Sequence, residues 1–525
     1  MTSPVGEPVA EEPVPLLLKR FHAFALLTSV FIVAGCGLAY ELTMSTAAAF
    51  FLGDTILQFS LTIGIFLAGL GLGAHLSKHL RGDLLRTFVM IEIAIAALGG
   101  ASAALIYVAY GWDYSVRGIT ILLPAAVGIL VGLEIPLLTR LLSHAGGWTK
   151  ALSNVLSLDY LGGLAASLIY PLVLLPEVGV VRSAIVFGIF NATTGLVTAL
   201  IFRRSSAGTR KLVPVAAITL ALLFGMLLAA GPLIGAVEKR LYGGELVASF
   251  NSRYQHIAVS RRGEHTELFL DGHLQFSSAD EARYHEVLAH PAMGATPHRA
   301  DVLVIGGGDG LLVREILRWP AVKRLTLVDL DRELVELCQR EPDIVAVNGG
   351  ALSDARVKII NADGFVWLQG QQQRFDRIFL DLPDPRSEGV ARLYSVEFFE
   401  LVKRHLRAQG ILAAQATSPY YTPRVFWSIV SSMEEAAFTV SPAHVNVPSL
   451  GEWGFVFAAM ESHDYAHGPL PDGLRFLSPE IVPSVFLWPR DLQRVPVDAT
   501  HFDRPIVLRY YADDSAQWGT EGIIH

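Results

Sequence analysis

Cysteine is nearly absent from this chain of 525 residues: Cys36 sits in an apolar stretch and Cys338 in a segment of helical pattern. Two cysteines build neither a disulfide framework nor a zinc site. Charge is scarce as well, at 17 % of residues against 52 % apolar, with a mean hydropathy of +0.43. The charges sum to −8 without a basic arm or stripe, which argues against nucleic acid as a partner. The scarcity is uneven. Charge-poor runs fill residues 23–237, whereas 241–525 reads like an ordinary soluble protein, so at least two domains are expected.

Seven segments are long and apolar enough to cross a bilayer, a crossing taking about 20 residues. They lie near 24–43, 55–77, 86–109, 118–140, 152–175, 179–202 and 212–236. The first is too far from the N-terminus for a cleaved signal peptide, and residues 1–22 read as a disordered tail. The alternative, buried helices of a large soluble protein, does not explain repeated spans of this length. Loop cations give the orientation: Lys19, Arg20, Lys78, Arg81, Arg86, Arg140, Lys150, Arg203, Arg204, Arg210 and Lys211 fall on one side, Arg117 and Arg182 on the other. The N-terminus is then cytoplasmic, and seven full crossings would carry the C-terminal domain outside. Either one segment is re-entrant, or there is a further crossing, or the domain is exported; a cytoplasmic domain is the expectation, and Gly231-Pro232 offers a place for a broken helix. Glu41, Glu92, Glu134 and Asp159 lie in or at the ends of these spans, either as amine or proton sites or as structural carboxylates at helix ends.

Residues 241–290 show the alternation and turn signals of a small antiparallel β domain, with Asp271-Gly272 as a turn. From 291 to 525 the pattern becomes strand–helix repeats, which predicts an α/β, Rossmann-like, doubly wound sheet. Five acids end or follow the apolar runs: Asp309, Asp329, Asp363, Asp381 and Asp384. They should gather at the carboxyl edge of the sheet, where ligands bind, and such a crowd of negative charge suits a cation. Gly306, Gly307, Gly308 and Gly310 allow a tight turn and close approach to a nucleoside. Asp329, 23 residues after Gly306, stands where ribose hydroxyls are held, while Asp331 reads as a helix cap. Asp309 in the glycine turn disfavours a pyrophosphate and favours a sulfonium or ammonium.

SRYQHIAV, LFLDGHLQFSSADEARYHEVLAHPAM, VLVIGGGDG, NADG, DLPDP and LAAQATSP follow one another in order. Together they resemble the spermidine synthase (polyamine aminopropyltransferase) family over about residues 241–510. The apolar spans with GCGLAYEL resemble its bacterial membrane-integrated members. The resemblance implies aminopropyl transfer from decarboxylated S-adenosylmethionine, a co-substrate, to a diamine such as putrescine, giving spermidine and methylthioadenosine. It implies no cofactor or metal, a lipid bilayer around the spans, and a homodimer or homotetramer. By the same resemblance Asp381 is the proton acceptor, and Asp384 holds the diamine's distal ammonium. Asp309, His285 and Tyr284 hold amine groups; Gln255, Asp329, Gly306 and Gly308 contact the nucleoside; Asp363 and Gly364 contact adenine. The chain departs from the family pattern at Val447-Pro448-Ser449, where a tyrosine is usual, and at Arg386-Ser387-Glu388-Gly389, which lacks a usual proline. Both departures put the identity of the acceptor in doubt. Two other functions stay open on the sequence: an S-adenosylmethionine-dependent methyltransferase, and a polyamine transporter or sensor with a synthase-like domain.

Overall fold

The computed structural model describes residues 20–52, 55–112, 114–204 and 206–518. The chain divides into two compact units, one chiefly of residues up to Val237 and the other of residues from Glu238.

The first unit is helical: α1 Arg20–Leu52, α2 Thr55–Leu76, α3 Leu84–Gly111, α4 Val116–Gly146, α5 Trp148–Ile169, α6 Leu175–Val178, α7 Val180–Phe202 and α8 Ala207–Tyr242, the last ending in the second unit. A wide turn at Tyr170–Leu174 joins α5 to α6, where Pro171 and Pro176 lack the N–H that an α-helical ladder needs. Counted with that turn as one segment, seven helices among the described residues are long and apolar enough to cross a membrane. Of the tail expected over 1–22, residues 1–19 lie outside the described residues and the last three are helical, the apolar pattern of α1 being carried back to Arg20. The break expected at Gly231-Pro232 is not there. α8 runs through it, because a proline-bearing turn costs a helix one hydrogen bond without obliging it to end.

Glycine lets these helices approach closely, as small residues do between apolar helices. A Cβ on Gly73 of α2 would lie 2.1 Å from the Ile129 carbonyl oxygen, and one on Gly132 of α4 would lie 2.2 Å from that of Leu70. Glu41, Glu92 and Glu134 are buried in the unit. Asn191 of α7 donates to the Glu92 carbonyl oxygen at 3.1 Å, tying α7 to α3.

The second unit opens with an antiparallel sheet of β1 Glu245–Asn251, β2 His256–Arg262, β3 His265–Leu270 and β4 His273–Ser277, in that order. The turn at Asp271-Gly272 has φ of 49° and 81°, the positive pair that matches hairpin twist. Helix α9, Glu281–Gly294, follows. The domain boundary expected at 290/291 therefore falls inside a helix. Its buried face, including Val287, Leu288 and Ala292, packs in one core with strand residues Val302 and Val304, so α9 belongs to the larger sheet.

That sheet is built from β5 Asp301–Gly306, α10 Leu311–Leu317, β6 Arg324–Asp329, α11 Arg332–Arg340, α12 Pro342–Asn348, β7 Val357–Asn361, α13 Gly364–Gln369, β8 Phe375–Asp381, α14 Glu388–Ala391, α15 Val396–His405, β9 Leu406–Gln415, α16 Pro423–Glu435, β10 Thr439–Val447, β11 Gly451–Ala459 and α17 Ile506–Gln517. The strand order is β10-β11-β9-β8-β5-β6-β7, with β9 to β7 parallel and the β11 and β10 pairings antiparallel. Alternation along β5 feeds two cores: Val302 and Val304 pack with α9, α10 and α11, while Leu303 and Ile305 pack with α15 and α16. β10 was not legible in the sequence because Pro442 interrupts it; as an edge strand it tolerates the missing donor. The chain turns outward from β5 in both directions, so the crevice between β5 and β8 is a topological switch point.

Candidate active site

Asp381 ends β8 directly opposite Gly306 at the end of β5, in the switch-point crevice. The backbone joins the two: the Gly307 N–H donates to the Asp381 carbonyl oxygen at 3.0 Å. A Cβ on Gly306, whose φ is +79°, would come within 2.1 Å of that oxygen, so only glycine fits. The Asp381 carboxylate accepts from the Tyr284 hydroxyl at 2.7 Å. Burial raises its pKa to about 6, and Asp309 adds to the rise; His285 and the Tyr284 hydroxyl oppose it. His285, Asp309 and Asp381 each bring one ligand atom within 4.8 Å of the others, a pocket for a cation. His285 is oriented by Glu281, its Nδ1 lying 2.9 Å from the Glu281 carbonyl oxygen and 3.0 Å from the carboxylate. Burial pushes the His285 pKa down, while the charges of Asp309 and Asp381 work the other way. Glu281 is itself held by Arg314 at 2.8 Å and by Arg475.

The loop after Asp381 is held by residues that the sequence did not single out. Tyr394 donates to the Pro383 carbonyl oxygen at 3.1 Å, and the Gln415 amide donates to the Leu382 carbonyl oxygen and, at 2.5 Å, to the Tyr394 hydroxyl. Gln415 also accepts from the Thr417 N–H at 2.8 Å. A polar residue closing the apolar run ILAAQ was the only available signal. In this loop Asp384 is buried and pairs with Arg386 at 3.4 Å, and Tyr511 donates to the same carboxylate oxygen at 3.3 Å.

The nucleoside candidates lie along β5, β6 and β7. Asp329 ends β6 beside the glycine turn, and a Cβ on Gly308 would meet its carboxylate at 2.7 Å. Burial raises its pKa to about 6, partly offset by the Asp331 N–H, which donates at 2.8 Å. Asp331 caps α11, accepting from the N–H groups of Glu333 and Leu334, as the sequence suggested. Gln255 does not reach the crevice unattached; its amide donates to Asp331 at 2.9 Å. Asp363 caps α13 by accepting from the Phe365 and Val366 N–H groups, and its other oxygen pairs with Arg392. Gly364 packs so tightly on β5 that a Cβ would meet Ile305 at 2.4 Å. The structure thus brings Tyr284, His285, Asp309 and Asp381 together and leaves Asp363 beyond the outer strand β7, engaged by its own helix.

A switch-point crevice with a glycine turn, an acid at the end of the second strand and a cluster of carboxylates suits a nucleoside-dependent transferase with a cationic substrate. Residues 281–467 match the spermine/spermidine synthase domain. The chain is 40% identical over 490 residues to a polyamine aminopropyltransferase of Leptospira interrogans, covering 93% of this chain and 98% of the relative. It is 38% identical over 522 residues to polyamine aminopropyltransferase 1 of Ralstonia nicotianae, covering 97% and 99%. A solved spermidine synthase in complex with the transition-state analogue AdoDATO aligns with a TM-score of 0.44 at 25% identity, over 47% of this chain and 88% of that one. The chain belongs to the polyamine aminopropyltransferase (spermidine synthase) family and is an aminopropyltransferase.

Proposed function

We propose that Asp381 is the base of this transfer, and that the Tyr284–Asp381 contact beside His285 and Asp309 marks the reacting amine. The donor is decarboxylated S-adenosylmethionine and the acceptor putrescine or a similar diamine. The acceptor nitrogen attacks the aminopropyl carbon bonded to sulfur. The C–N bond forms, the C–S bond breaks with its electron pair going to sulfur, and the products are spermidine and neutral methylthioadenosine. The nitrogen must shed a proton, and a carboxylate with a pKa near 6 takes it at neutral pH. Asp309 faces the donor's aminopropyl end, Asp329 the ribose, and Asp363 with Gly364 the adenine; Asp384 faces the acceptor's distal ammonium. The His285–Asp309–Asp381 pocket takes an amine, not a metal.

The seven apolar helices anchor the enzyme in the cell membrane. We place the catalytic unit on the cytoplasmic face, because its donor is an intracellular nucleoside.

The test is to incubate the purified protein with decarboxylated S-adenosylmethionine and a panel of diamines, and to measure methylthioadenosine with and without a chelator. Release that the chelator does not affect is expected. Methyl transfer to the acceptor would identify a methyltransferase, and amine uptake into vesicles without methylthioadenosine a transporter. Asp381→Asn should lower kcat by about 10²–10⁴, the usual worth of a general base, with donor binding kept. Unchanged turnover would remove Asp381 from its role.

A further inference from the structure

Asp384 is already occupied on one side. Its Oδ2 lies 3.4 Å from a guanidinium nitrogen of Arg386 and accepts from the Tyr511 hydroxyl at 3.3 Å. Its Oδ1 is buried with no hydrogen-bond partner among the described residues, and the side chain is only 8% exposed. Arg386 is held in place at both ends. Its N–H donates to the Asp384 carbonyl oxygen at 2.7 Å, fixing the turn, and its guanidinium carbon stands 5.1 Å from the centre of the Tyr511 ring. Burial works against the Arg386 charge, but Tyr511 and Asp384 more than offset it. His273 of the small sheet adds no competing cation: burial and Arg386 lower its pKa to about 3.

We propose that Arg386 sets the acceptor selectivity of this site, by seating a cation on Asp384 before the acceptor arrives. The inference rests on the assignment of Asp384 to the acceptor's far end. An incoming ammonium takes Oδ1 while the guanidinium keeps Oδ2, so two cations share one carboxylate and the attraction for the second is largely cancelled. The far-end charge of a diamine then adds little to its binding, and an amino alcohol of the same length is a comparable acceptor.

The test uses the full-length protein and its Arg386→Met and Arg386→Lys variants, with kcat and KM measured for putrescine and for 4-amino-1-butanol. Arg386→Met should lower the putrescine KM by about tenfold, the scale of a partly screened charge. The effect should be confined to KM and absent for the amino alcohol, and Arg386→Lys, which keeps the charge, should resemble the parent. A KM raised for both acceptors, or a fall in kcat, would make Arg386 a brace of the loop and overturn the proposal. Calorimetric titration of putrescine into the three proteins separates this from failure of the reaction assignment. Without turnover in the parent, tighter binding by Arg386→Met still supports the charge effect, and equal binding overturns it.

Discussion

At the scale of single residues the site is an exercise in holding a base ready. Burial and Asp309 raise the pKa of Asp381, while the Tyr284 hydroxyl lowers it by stabilising the ionised form. The two neighbours therefore predict opposite shifts. The acid limb of the kcat/KM profile reports protonation of the base in the free enzyme. Tyr284→Phe removes a donor to the carboxylate, raises its pKa and moves that limb to higher pH. Asp309→Asn removes a negative neighbour, lowers the pKa and moves the limb to lower pH. Shifts of about half a unit or more are expected in each direction, measured across pH 5 to 8. Movement of both limbs in the same direction would refute the reading. The five acids at and just beyond the strand ends stood out in the sequence because each ends or follows an apolar run. The Tyr284–Asp381 contact was not, since 97 residues separate its partners and no periodicity records that meeting. The Arg386–Asp384 pair was equally hidden: the sequence showed an unusual loop but not that its arginine turns back onto the acid.

At the scale of elements, strand ends are positioned by what closes behind them. Gln415 at the end of β9 supports the loop after β8 through Leu382 and Tyr394. Gln415→Ala would leave the Thr417 N–H and the Leu382 carbonyl without this partner, at a cost of about 1–3 kcal/mol for buried polar groups. A lower thermal midpoint and a lower kcat are expected together; a lower midpoint with kcat intact would mean that the loop does not depend on Gln415. Most elements around the crevice could be read from alternating apolar runs and caps, Asp331 among them. The failures have local causes. Pro442 hid the strand pattern of β10. The helix α9 was divided by a boundary placed where the β pattern gives way to strand–helix repeats, because its burial against β5 is a tertiary fact.

At the scale of the whole molecule, seven helices that all crossed a membrane would put the chain ahead of the first and the chain after the last on opposite faces. With the catalytic unit in the cytoplasm, the eleven loop cations fall on the far side, against the usual charge bias. Paired reporters decide it. One fused after His525 should read cytoplasmic and one ahead of Arg20 should read the opposite face; equal readings would mean that one helix does not cross. The two-unit plan was visible in hydropathy alone, but the continuity of α8 through Gly231-Pro232 was not, since the dipeptide permits both a bend and a break. The joint between Gly306 and Asp381 has a consequence for how the two substrates meet. The turn assigned to the donor and the base assigned to the acceptor share a single backbone contact with no room for a methyl group, so neither can shift alone. Any displacement of this joint by one substrate is therefore felt at the site of the other, and thermodynamic reciprocity requires the diamine to change the nucleoside's affinity by the same factor as the nucleoside changes the diamine's.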